Sequence, residues 1–211
     1  LLSRINTFFR KPDTVPSVST GSAVSHIEAY NQTREPALRK SLCYAPSVNM
    51  LFAQDGSVKA CCHNQDFSIG NYPQQTIREI WNSQAADELR AYMAKFDFSH
   101  GCNVCEDNLN LGSYYELAAK HFDTIPVSKE YPRMMEFLLT NTCNLECVMC
   151  KGEFSSSIRK NRENLPPIVS SYDKQFVEQL KEFIPHLLET RFSGSGEAFS
   201  IDMNYEIWEH I

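Results

Sequence analysis

Three cysteines stand close together in the stretch Asn141 to Phe154, "NTCNLECVMCKGEF": Cys143, Cys147 and Cys150, spaced C-x3-C-x2-C. Thiolates gathered in one short loop suit an iron–sulfur cluster, which takes four cysteine sulfurs when its [4Fe–4S] shell is complete. Three sulfurs hold three irons and leave the fourth iron without a protein ligand. Catalytic zinc sites use the same logic, keeping one position open for water or substrate, whereas structural sites close the shell. The other five cysteines, Cys43, Cys61, Cys62, Cys102 and Cys105, form an earlier group.

The setting of these thiols narrows their chemistry. The opening "LLSRINTFFRKPD" has too short an apolar stretch for a secretory signal. Clustered cysteines in a chain without an export signal read as metal ligands or catalytic thiols in a reducing compartment, not as disulfides. A net charge of -6 with no lysine or arginine cluster argues against binding nucleic acid through its backbone. No apolar run approaches the ~20 residues of a membrane span. The 211 residues suffice for one ordinary domain or two small ones. The chain does not begin with Met, and "YEIWEHI" stops inside an apparent helix, so it reads as a piece of a longer protein.

Particular elements must position the cysteines. Residues 1–42 are polar, with scattered Ser, Thr and Pro, and read as an extended arm. In "NMLFAQDGSVKACC", two apolar runs flank Asp55-Gly56, a dipeptide that tolerates a tight turn, so the stretch reads as a β-hairpin. A loop and a helix follow. Thr76 and Glu79 make a capping-box pattern, and Ile77, Ile80, Trp81, Leu89 and Met93 form the apolar stripe. Cys102 and Cys105 lie in a short loop, and "SYYELAAKHF" reads as a helix within a linker over 109–133. "MMEFLLT" reads as a buried strand of a parallel sheet, ending at the second cysteine group. A polar loop containing Ser155, Ser156, Ser157 and Arg159, then a helix ended by Pro185, then a short strand into "GSGEAF" complete a βαβ order. The loop carrying Cys143 leaves the carboxyl end of its strand, where α/β folds build their sites. Cys61 and Cys62, as neighbours on a strand, point to opposite faces, which leaves Cys62 out of the ligand set.

The run "CNLECVMC" from Cys143 to Cys150 resembles the radical S-adenosylmethionine (SAM) enzymes. The resemblance implies a [4Fe–4S] cluster on Cys143, Cys147 and Cys150, with SAM chelating the unique iron by its amino and carboxylate groups. One electron then cleaves SAM, and the 5′-deoxyadenosyl radical abstracts a substrate hydrogen. The implied fold class is α/β: the start of a partial (β/α)6 TIM barrel over 134–211, preceded by a small α+β hairpin-and-helix module over 43–108. A Gly-Gly-Glu-Pro turn that touches SAM's amino group in that family falls here on Ser195, Gly196, Glu197 and Ala198; the second and third agree, the outer two depart. Met149 stands where the family often has an aromatic residue, as an apolar surface for the adenine.

The earlier cysteines are similar to the auxiliary-cluster modules called SPASM and, in shorter form, twitch. Cys43, twelve residues, Gly56, four residues and Cys61 fit the first half of that pattern, and Cys102 with Cys105 would complete a four-thiolate shell. The resemblance implies an auxiliary [4Fe–4S] cluster on Cys43, Cys61, Cys102 and Cys105, placed before the barrel instead of after it. Zn²⁺ suits four thiolates equally. A zinc- or cluster-binding interaction module without enzymatic activity is therefore the competing expectation. His63 and His100 read first as solvated loop histidines, with metal ligation as the lesser reading. The implied partners are SAM, an unknown substrate (a peptide or a small molecule) and an electron donor such as a flavodoxin or ferredoxin, in an oxygen-sensitive cytoplasmic setting, with neither nucleic acid nor membrane.

Overall fold

The structure, a computed structural model, describes residues 23–64, 66–192 and 194–211. Most of the expected arm, residues 1–22, lies outside them. The rest of that arm is not extended: Ala23–Gln32 form helix α1, and a 3-10 turn follows at Pro36–Leu38. Helix α2 (Ala45–Val48) leads into strand β1 (Asn49–Phe52), then β2 (Ser57–Lys59) and β3 (Gly70–Asn71). Helices α3 (Ile77–Trp81), α4 (Gln84–Ala94), α5 (Asn103–Asn110) and α6 (Ala119–Phe122) separate these from β4 (Met134–Phe137). Then come α7 (Ser156–Asn161), α8 (Lys174–Leu180), β5 (Glu189–Arg191) and α9 (Asp202–Trp208).

All five strands join one open sheet in the order β3-β2-β1-β4-β5. The hairpin forms as its turn residues dictate. Gly56 has φ +86, and a Cβ there would stand 2.2 Å from the Tyr72 carbonyl oxygen. Asp55 accepts from the Ser57 N–H at 2.9 Å, closing the turn. β1 then runs antiparallel to β2 on one side and parallel to β4 on the other, with Asn49 opposite Met134 and Phe52 opposite Phe137. β5 lies parallel to β4 on its far side. β1 and β4 are buried along their whole length, as befits the two central strands of the sheet, with Asn49 and Glu136 the polar residues among them.

Alternation gives the sheet two unlike faces. Met50, Phe52, Met135 and Phe137 share the face that packs on the helices. Phe52 stacks on Phe137 at 5.7 Å and meets the edge of Phe176 from α8 at 5.0 Å. Asn49, Leu51, Glu136 and Arg191 share the other face, where the Asn49 amide donates to Glu136 at 2.6 Å. Burial pushes the Glu136 carboxyl upward, against the pull of Asn49 and Arg191.

Sequence expectations and structure part at the helices. The capping box of Thr76 and Glu79 is present. The single expected helix breaks at Asn82-Ser83, because the Ser83 hydroxyl accepts from the Ala86 N–H and caps a second helix, α4. The stripe survives the break: Ile77, Ile80, Trp81, Leu89 and Met93 are all buried. Asp173 caps α8, and a 3-10 turn at Ile184–His186 absorbs Pro185. The helix expected over 113–122 shortens to α6.

Because β1 and β4 are neighbours, the two cysteine-bearing halves share one aromatic core. Replacing Phe52 with Ala should cost about 3–5 kcal/mol and keep a single cooperative transition in urea. A loss below ~1 kcal/mol, or two separated transitions, would contradict this shared core.

Candidate iron–sulfur sites

Cys43 precedes α2 and Cys61 follows β2, so both lie at the edge where β1 begins. Cys102 and Cys105 do not sit in a loop: Cys102 is the N-cap of α5 and Cys105 lies in its first turn. The four thiols line one apolar cavity, closed by Tyr30, Leu42, Leu89, Met93 and Phe122. Burial pushes the Cys61 thiol up to about 12, Cys102 up to about 11, and Cys43 well above its usual range. Their mutual proximity adds to this: Cys61 raises Cys43, and Cys105 raises Cys61 and Cys102. Four thiolates in such a place repel one another, and a cationic metal centre among them offsets both that repulsion and the lost solvation.

The sulfurs also receive N–H donors. The Ala45 N–H donates to the Cys43 Sγ at 3.3 Å, and the Asn64 amide to the Cys102 Sγ at 3.6 Å. Backbone groups at His63 and Asn64 face Cys61, and those at Ala118 and Ala119 face Cys105. Such donors stabilise the thiolate form and tune a cluster's potential. Asn64 reaches its place because Gly101, at φ +77, has no Cβ; one would lie 2.4 Å from the Asn64 Oδ1. Four thiols around an apolar cavity, each with an N–H nearby, fit an iron–sulfur cluster. Among the described residues, no three His, Cys, Asp or Glu side chains converge tightly enough to hold a single metal ion.

His63 and His100 divide. His63 lines the cavity with the cysteines. His100 is stacked on Tyr92 with ring centres 3.5 Å apart. Cys62 turns away from the cavity toward Glu136 and Arg191. It lines a groove of about 640 Å³ on the opposite sheet face, with Leu51, Gln54, Leu138 and Phe154.

The second group lies at the other end of the strands. β1, β4 and β5 are parallel, so the segments leaving them emerge at one edge: the hairpin turn, the loop of Cys143, Cys147 and Cys150, and the Gly194–Glu197 turn. The stretch expected to be a polar loop holds α7, whose N-terminus fixes the cysteine loop. The Ser156 hydroxyl accepts from the Cys143 N–H at 3.1 Å, and the Ser157 hydroxyl donates to the Cys143 carbonyl at 2.9 Å. Buried Ser155 donates to the Leu145 carbonyl at 2.7 Å. The Leu145 N–H donates to the Cys143 Sγ at 3.4 Å. Cys147 is exposed, and so are Val148 and Met149, the latter at 86%.

The turn docks on this loop. The Glu197 N–H donates to the Thr142 carbonyl at 2.8 Å, and the Gly196 N–H to the Phe154 carbonyl at 3.1 Å. Gly196 has φ +67, and a Cβ would meet the Thr142 oxygen at 2.7 Å and the Thr140 oxygen at 2.9 Å. Buried Ser195 donates to the Thr140 carbonyl at 3.0 Å. Ser195, Gly196 and Glu197 are thus brought against the residues next to Cys143. Cys143, Cys147 and Cys150 thus share one loop beside a polar turn, with Cys147 exposed and the other two half-buried.

Of the residues that enclose the first site, the apolar stripe gave Leu89 and Met93, while Tyr30, Leu42 and Phe122 carry no sequence signal. Tyr30 comes from α1, and Phe122 from α6. Arg34 locks these segments together through a bidentate pair with Asp123, both contacts 2.7 Å. The Arg34 side chain is fully buried, and Asp123 is 8% exposed. The two partners stand 89 residues apart, and nothing local signals the pairing. Arg34→Met should destabilise the fold by about 3–5 kcal/mol, because it strands a buried carboxylate. Arg34→Met with Asp123→Leu should recover most of that loss in urea denaturation. A single substitution costing less than ~1 kcal/mol would overturn the clasp.

Comparison with known proteins agrees with the first site. No curated protein and no solved structure matches the chain. Residues 43–106, less than a third of the 211, match the family model of the SPASM iron–sulfur cluster-binding domain, a stretch that contains Cys43, Cys61, Cys102 and Cys105.

Proposed function

We propose that the chain is part of a radical SAM enzyme, with an auxiliary [4Fe–4S] cluster in its SPASM-like module and a SAM-binding [4Fe–4S] cluster on Cys143, Cys147 and Cys150. One observation carries this reading: the three-cysteine loop leaves the carboxyl end of a parallel strand and is hydrogen-bonded to the Gly194–Glu197 turn. When bound, a cluster at that loop supplies the single electron for reductive cleavage of SAM. The unit β4–α7–α8–β5 is then the start of a partial (β/α)6 barrel.

The chain's own residues have distinct tasks in this scheme. Ser156 and Ser157 hold the Cys143 backbone, so the first thiol keeps its direction. Gly196 lets the turn approach the loop, and Glu197, whose N–H is bonded to the Thr142 carbonyl, would supply its carboxylate as an acceptor for an ammonium group. Met149 presents an exposed apolar side chain for the adenine. The groove lined by Cys62, Gln54 and Phe154 runs from the residue after Cys61 to Lys151, the residue after Cys150, and offers room for a peptide or small-molecule substrate. The enclosed first site suits electron relay, since its apolar walls keep water away. An electron donor of the flavodoxin or ferredoxin kind completes the scheme. Among the described residues no helix is long and apolar enough to cross a membrane.

Iron and acid-labile sulfide per chain test this reading. After anaerobic reconstitution, wild type should hold about eight irons, and the Cys143→Ala, Cys147→Ala, Cys150→Ala variant about four. Zinc at one or two per chain without labile sulfide would replace the enzyme with a zinc-stabilised binding module.

A further inference from the structure

We propose that Gln54, at the tip of the SPASM-like hairpin, is a positioning residue for SAM at the other cysteine site. This inference rests on the reading above and extends it to a residue outside the barrel part. Gln54 lies two residues past the end of β1, at the edge where the cysteine loop and the Gly194–Glu197 turn also emerge. Its side-chain nitrogen donates to the Glu153 carbonyl at 3.0 Å and to the Ser195 hydroxyl oxygen.

The orientation of this amide follows from its partners. The Glu153 carbonyl can only accept. The Ser195 hydroxyl gives its proton to the Thr140 carbonyl, so toward Gln54 it too accepts. Both neighbours demand the NH₂ end, and an inverted amide would face two acceptors with a third. The Gln54 Oε1 is buried and has no hydrogen-bond partner among the described residues. The side chain is held by its donors alone.

One amide thereby ties three segments: the hairpin, the end of the cysteine loop three residues past Cys150, and the turn. Among the described residues the turn is also tied to the segment after β4 by the Ser195 hydroxyl on the Thr140 carbonyl and by the Gly196 and Glu197 N–H bonds. The same hairpin runs back through β2 to Cys61. The SPASM-like module therefore shapes the SAM turn mechanically, whatever its cluster does electronically.

The test uses the full chain, reconstituted anaerobically, as wild type, Gln54→Met and Gln54→Lys. Met keeps the length without a donor, and Lys keeps a donor at similar reach. Iron content and the urea midpoint show whether each variant is intact. The readouts are the SAM dissociation constant by equilibrium dialysis and amide hydrogen exchange of residues 194–198. Gln54→Met should weaken SAM binding about tenfold and speed exchange at Gly196 and Glu197 at least ~5-fold, with iron unchanged. Gln54→Lys should stay within ~3-fold of wild type on both. If Gln54→Met binds SAM within ~2-fold of wild type and exchanges alike, Gln54 has no positioning role while the enzyme reading stands. If wild type itself binds no SAM, the enzyme reading fails and this inference fails with it.

Discussion

The parallel pairing of β1 with β4 is the constraint on which the rest depends. Four residues of each strand match in register, from Asn49 against Met134 to Phe52 against Phe137. That pairing makes one sheet of two segments separated by four helices. It also sets polarity. With β1, β4 and β5 all parallel, the three segments that follow them share an edge, whereas antiparallel β2 returns the chain to the opposite edge. The two cysteine groups end up at opposite ends of the same strands. The hairpin register puts Cys61 level with Asn49 at the start of β1, whereas the loop of Cys143 follows the end of β4. The sheet thus keeps the sites apart at a set distance.

The two cysteine groups differ in how far they are enclosed. The first is enclosed by apolar side chains and a buried arginine–aspartate clasp, and burial pushes its thiols upward. A closed four-thiolate shell has no coordination position to offer and suits storing or passing an electron. The second lies on a loop fixed along its backbone yet open on its sulfur side, with exposed Val148 and Met149 beside it. Rigid backbone with open coordination is the arrangement that admits a ligand while holding it in one place.

Much of this was legible in the sequence because it rests on local rules. The Asp55-Gly56 turn, the Thr76–Glu79 capping box and the apolar run at Met134 each announce one element through residues close in the chain. The SPASM-like spacing of Cys43, Gly56 and Cys61 agrees with the matched family. What stayed hidden is non-local or finely balanced. The Ser83 cap splits a helix whose apolar stripe runs on unbroken. α1 is not apparent from its polar surroundings, because its worth lies in delivering Tyr30 and Arg34 to partners far along the chain. Gln54 follows an apolar run like any turn residue, and its role exists only once three segments meet. The polar stretch at Ser155 reads as a loop by composition, but its three serines satisfy a helix end and the cysteine loop together.

The central claim is that two iron–sulfur sites share this sheet and that only the open one meets SAM. Electron paramagnetic resonance of the reduced, reconstituted chain with and without SAM addresses it most directly. The account predicts signals from two [4Fe–4S] clusters, of which SAM alters one, the one lost in the Cys143→Ala, Cys147→Ala, Cys150→Ala variant. A single cluster signal that survives this variant and ignores SAM would contradict it.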